Sequence, residues 1–132
     1  MIYVPITSLF AAAFALALVM LSVPVTLRRI KVGDLVGDSR DEQLQHRIRA
    51  QGNFIEYVPL GVITLGLVEA QGAAAWLVFA IGGTLALGRL LHAVGMLRAN
   101  APLRGFGMIF TYLALIAAAV RLVWIAPDLA PF

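Results

Sequence analysis

The sequence predicts an all-α membrane protein, an up-down bundle of four transmembrane helices with both termini on the non-cytoplasmic side. Three observations predict it. The 132 residues are 61% hydrophobic and 13% charged, against roughly 25% charged in a soluble domain, and mean hydropathy is +0.92. Four apolar stretches, at about 2–27, 44–69, 73–98 and 103–126, approach or exceed the ~20 residues an α-helix needs to cross a bilayer. Basic residues alternate in sidedness. Arg28, Arg29, Lys31 and Arg40 fall between the first two stretches with Arg47 at the head of the second, and Arg98 and Arg104 sit at the facing ends of the last two. The middle connection and both termini carry no Lys or Arg. By the positive-inside rule both basic connections are cytoplasmic. The whole chain, 1–132, reads as one such domain: an integral multi-pass protein, of the inner (cytoplasmic) membrane if bacterial.

Composition also excludes several classes. There are no cysteines, hence no disulfide, thiolate metal site or cysteine nucleophile. Two histidines without companion ligands argue against a metal centre, and none is assigned. A pI near 10.0 does not point to nucleic acid here, because the positive residues flank apolar segments, where membrane orientation explains them.

The first stretch carries no charge before Arg28. It lacks a basic leader and is too long for a signal-peptide core, so it reads as a retained span. Pro5 suits a first helical turn and Pro24 a bend. A Gly- and Asp-rich connection follows, with Ser39 or Asp41 placed to cap the second helix and Glu42 in its first turn. The second stretch is the difficult one. Only twelve uncharged residues separate Glu56 from Glu69, so either it does not cross or Glu56 lies at membrane depth. Arg49, Asn53 and Glu56, at i, i+4 and i+7, form one polar helical stripe, which favours the second choice. Gly72 turns the chain into the third span, where Arg89 and His92 share a face at i, i+3. Ala99-Asn100-Ala101-Pro102 is the next turn. The fourth span carries Arg121 near its end, and Asp128 and Pro131 close an exposed tail.

Counting along the helices brings these groups together. Arg89 lies nine residues before Arg98 and Asn53 nine after Leu44, each about 13 Å deep at 1.5 Å per residue. Glu56 is one turn deeper, within reach of Arg89. Arg28, Arg29 and Arg104 sit at the same mouth. An arginine-rich pocket with one carboxylate at its floor suits a small carboxylate-bearing anion with an ammonium end. Plainer roles stand beside this: Arg28, Arg29 and Lys31 as topology anchors, Arg89–Glu56 as a structural ion pair, and His92 as a packing residue. Gly82, Gly83, Gly88 and Gly95 fit close helix packing; Tyr3, Trp76 and Trp124 fit an outer aromatic belt.

The run Arg49-Ala50-Gln51-Gly52-Asn53-Phe54-Ile55-Glu56-Tyr57-Val58-Pro59 closely resembles the second-helix signature of the membrane-associated proteins in eicosanoid and glutathione metabolism, the MAPEG family, and its leukotriene C4 synthase branch in particular. Gly88-Arg89-Leu90-Leu91-His92 is similar to the third-helix pattern of prostaglandin E synthase and of short bacterial members. Arg28-Arg29 and Ala101-Pro102-Leu103-Arg104 extend the resemblance to nearly the whole chain. It implies a homotrimer with glutathione, the co-substrate, bound between subunits on the cytoplasmic side. Arg49, Gln51, Asn53, Glu56 and Tyr57 would then bind glutathione, with Arg28 or Arg29 coming from a neighbour and Arg89 and His92 lining the pocket. Arg104 matches the catalytic arginine that favours the thiolate. Three positions depart from the eicosanoid pattern: Met96 stands in place of a tyrosine, and Gly105 and Met108 in place of a serine and a tyrosine. They argue against prostaglandin or leukotriene synthesis. The expected function is glutathione transfer or glutathione-dependent peroxide reduction on a lipophilic partner within the lipid bilayer. Rival readings are a non-catalytic lipid- or glutathione-binding scaffold, and a small four-span transporter using Glu56. A first span without charge argues against the transporter.

Overall fold

The computed structural model describes residues 3–125. The tail at Asp128 and Pro131 and the span ends at 2 and 126 lie outside the described residues. The chain forms four helices: α1 (Pro5–Val32), α2 (Glu42–Ala70), α3 (Ala75–Leu97) and α4 (Ala101–Ile125). All four are long and apolar enough to cross a membrane, and there is no strand among the described residues.

Local chemistry fixes the boundaries. Pro5 opens α1 at a position whose N–H would go unpaired in any case. The next two N–H groups, of Ile6 and Thr7, donate to the Glu69 carboxylate at 2.9 and 2.7 Å. A side chain from the end of α2 thus caps α1. At its other end α1 runs on past Leu27, carrying Arg28, Arg29 and Lys31 inside the helix. Gly33 stops it with φ 83° and an N–H bonded to the Arg29 carbonyl, the left-handed terminus that glycine adopts freely. Asp41, rather than Ser39, caps α2 by accepting the Leu44 N–H. Asn100 accepts the Leu103 N–H at 2.9 Å and starts α4.

The 29 residues of α2 extend about 43 Å, against a hydrocarbon core of about 30 Å. Counted back from Ala70, the core reaches to about Ala50, so Asn53 and Glu56 lie just inside it. The helix does not break at Pro59; it crosses, and takes its polar stripe with it.

α2 and α3 form the centre, with α1 on one side and α4 on the other. Phe14, Phe54, Val58, Leu65, Val68, Val78, Ile81, Leu85, Ala114 and Ala118 make the core. Phe14 meets Phe54 edge-on at 6.0 Å. α3 and α4 approach most closely, because Gly88 and Gly95 on α3 and Gly107 on α4 have no side chain to hold the backbones apart: a Cβ on Gly88 would lie 2.8 Å from the Thr111 nitrogen. Gly83 faces open space and plays no such part.

Candidate functional site

The polar stripe of α2 faces the basic end of the α3–α4 pair. Between them lies a cleft of about 370 Å³, lined by Arg49, Asn53 and Glu56 of α2, His92 and Met96 of α3, and Arg104 of α4, with Asp38 at the rim. Arg49, Glu56 and Arg104 are exposed there and form no ion pair among the described residues. Their charges are held apart rather than cancelled. His92 is buried and lines the cleft from α3. Among the described residues the one hydrogen-bond partner of the Arg104 guanidinium is the Met96 thioether, at 3.7 Å from Nη1 to Sδ.

Arg89 stands behind this wall. It is 3% exposed and has no carboxylate partner among the described residues. The ion pair with Glu56 that axial depth suggested is not formed. Instead Nε and Nη2 donate to Thr111 Oγ1 at 3.0 and 2.5 Å, and Nη1 donates to Asn53 Oδ1 at 2.5 Å. Nη2 also reaches Met108 Sδ at 3.5 Å, and the guanidinium lies 5.2 Å from the Tyr57 ring centre. A buried cation is tolerable when its donors are satisfied, and Arg89 therefore fixes Asn53, a wall residue. Thr111 was not legible as its partner. The signal was present: Thr111 is the only Ser or Thr in α4, four residues after Gly107, whose carbonyl it also bonds.

The remaining candidates lie around the cleft rather than in it. Tyr57 packs on Tyr112 of α4, ring centres 5.9 Å apart. Gln51 donates to Ser22 of α1 at 2.7 Å and so faces away. Arg28 makes a two-pronged ion pair with Asp41, Nε to Oδ1 at 2.9 Å and Nη2 to Oδ2 at 2.6 Å. That guanidinium, and then the Leu44 N–H, hold the Asp41 carboxyl at about 2. Arg29 spends one nitrogen on the Asp34 carbonyl at 3.0 Å and keeps other donors free. Asp38, read from the sequence only as loop, reaches the rim because Gly37 turns the backbone with φ 77°. A bond between the Ser39 hydroxyl and Asp34 ties the same loop together.

Four apolar spans with a charged cleft at their basic end define an integral multi-pass membrane protein. Residues 7–124 match the sequence model of the MAPEG family, and the chain belongs to that family. It is similar to the inner membrane protein YecN of Escherichia coli K12, at 32% identity over 122 residues, 92% of this chain and 93% of the relative. The same protein from an O6:H1 strain matches equally. No solved structure matches the chain.

Proposed function

We propose that the protein binds glutathione and acts as a membrane glutathione transferase or glutathione-dependent peroxidase on lipophilic electrophiles. The observation that carries this reading is the set of uncancelled charges in one cleft, Arg49 and Arg104 against Glu56. Glutathione has two carboxylates, one ammonium and a thiol. The two guanidinium groups suit its carboxylates and thiolate, the Glu56 carboxylate suits its ammonium, and Asn53 and His92 add neutral hydrogen-bonding groups. The volume falls in the roughly 300–1,000 Å³ range of small-molecule sites.

Each side chain then has a task. Arg49 and Glu56 orient the peptide by its charged ends. Arg89 holds Asn53 in place through its amide oxygen. Arg104, free of any carboxylate, favours an adjacent thiolate over the thiol, and the thiolate is the attacking form. Bound glutathione would supply that sulfur, which adds to an electrophilic carbon or reduces a peroxide to alcohol and water while a second glutathione completes the disulfide. A lipophilic partner would arrive along the apolar flanks of α2 and α4.

In this reading the basic connections face the cytoplasm, the termini lie on the other side, and three copies assemble with each cleft closed by a neighbour. The neighbour's Arg29 is the better contributor, because Arg28 is already engaged by Asp41.

The test is a glutathione titration of the detergent-purified protein, followed by thiolate absorbance in the ultraviolet. The expected result is a saturable signal that Arg104→Ala abolishes while glutathione affinity is largely kept. An undiminished thiolate signal and turnover in Arg104→Ala would remove the role given to Arg104. One observation favours a non-catalytic scaffold as the second reading: Met96, with no hydroxyl, is the side chain that meets Arg104. Saturable binding with no thiolate signal in the unsubstituted protein would select it.

A further inference from the structure

A second hollow, of about 540 Å³, lies at the same end of the molecule between α1, α2 and α3. Nothing in the proposed reaction uses it. Its rim is polar: Glu42, Gln43, His46 and Arg47 from the first turns of α2, and Arg98 just past α3. Its floor is apolar, formed by Met20, Leu21, Pro24 and Leu97. Met20 is four residues, about 6 Å, nearer the bilayer centre than Pro24, so the hollow runs from the interface into the hydrocarbon.

The rim is short of negative charge. Arg98 is exposed, and its guanidinium forms no hydrogen bond or ion pair among the described residues. Arg47 uses only Nη1, donating to the Pro24 carbonyl at 3.0 Å. His46 Nδ1 donates to the Met96 carbonyl at 2.8 Å, which leaves Nε2 toward Glu42 at 3.8 Å. The Glu42 side chain is 88% exposed and turned to solvent. Two guanidinium groups with free forks thus stand over an apolar slot beside one solvated carboxylate.

We propose that this hollow seats an anionic phospholipid, its phosphate between Arg47 and Arg98 and an acyl chain along Met20 and Leu21. A hydrocarbon alone would leave the arginines unanswered, and a soluble anion would leave the apolar floor wet. Only an amphiphile meets both. Guanidinium forks match phosphate oxygens, and the net positive rim prefers a lipid with net negative charge to a zwitterion, whose ammonium it repels. The proposal rests on the cytoplasmic orientation given above only for which leaflet supplies the lipid.

The experiment is native mass spectrometry of the full-length protein released from detergent, titrated with phosphatidylglycerol and phosphatidylcholine of identical acyl chains. Phosphatidylglycerol is expected to bind more tightly, and Arg98→Gln and Arg47→Gln each to weaken it about fivefold, the effect of about one surface cation, with phosphatidylcholine unchanged. Arg98→Gln carries the test, because its exposed side chain has no folding partner to lose. Equal binding of the two lipids, or undiminished phosphatidylglycerol binding in Arg98→Gln, would overturn the proposal. So would soluble glycerol phosphate binding as tightly as the lipid, which would make the site one for free phosphates. The readout needs no glutathione, so failure here leaves the cleft reading standing, and failure of the cleft leaves this one testable.

Discussion

The residue that most constrains the site is Arg89, a buried cation whose partners are all neutral. Its worth to stability and its worth to binding come apart. Thr111→Val removes the acceptor of both Nε and Nη2 and leaves a buried guanidinium half satisfied, a loss of about 2 kcal/mol by the cost of an unpaired buried donor. Arg89→Met removes the charge with its desolvation cost and fills similar volume. Thr111 keeps its bond to the Gly107 carbonyl, so this variant should stay within about 1 kcal/mol of the parent and yet bind glutathione poorly, since Asn53 is released. Thermal unfolding in detergent beside glutathione titration checks both; Arg89→Met unfolding far below Thr111→Val would show that the charge is structural. The sequence placed Arg89 and Asn53 at one depth and offered Glu56, a turn deeper, as the partner of Arg89, whereas the guanidinium bonds Asn53 and Thr111. Counting residues gives position along a helix axis, not the rotation of one helix against another. That rotation is set by Gly88 and Gly107, where α3 and α4 nearly touch.

At the scale of elements, two contacts decide how the helices are joined at the basic end and along the α3–α4 seam. Arg28 and Asp41 tie the end of α1 to the start of α2. Because the folded Asp41 carboxyl sits at about 2, below its ordinary 3.8, the pair stabilises the fold fully above pH 4, and that contribution is lost as pH falls toward 2. Asp41→Asn keeps a capping oxygen but should lower the melting temperature at pH 7 and flatten its decline between pH 4 and 2; an acid decline as steep as the parent's would assign that decline to other carboxylates. Along the seam, Gly88→Ala places a Cβ against Thr111 and Gly107 backbone and should cost about 1–3 kcal/mol, as overpacking does. Gly83→Ala meets open space and should be tolerated, a contrast readable from the two melting curves. Span positions and the Asp41 cap were legible because they follow local rules of composition and capping. The Glu69 carboxylate on the N-terminus of α1 was not, because its partner lies 63 residues away.

For the whole molecule, the governing fact is how little of its apolar surface one chain covers. Leu16, Val19, Met20, Leu60, Ile63, Leu90, Ile109, Ile116 and Val120 are all exposed, spread over all four helices. In water such a surface would aggregate; in a bilayer it is solvated by lipid or covered by further copies, so the fold makes sense only across a membrane. The four spans were legible because that requirement is written in composition. Orientation rests on a different signal, the basic residues of two connections, and can be tested alone. The chain has no cysteine, so single cysteines report their own side without a background. Val36→Cys lies in the α1–α2 connection, 89% exposed, and Gln71→Cys in the opposite connection is exposed as well. In intact cells a membrane-impermeant maleimide should label Gln71→Cys and spare Val36→Cys, and inverted vesicles should reverse the pattern. The reverse result would turn the arginine cleft away from the cytoplasm. It would then no longer face the reducing compartment whose thiol pool is glutathione, and the proposed reaction would lose its co-substrate even if every side chain in the cleft stood where it stands now.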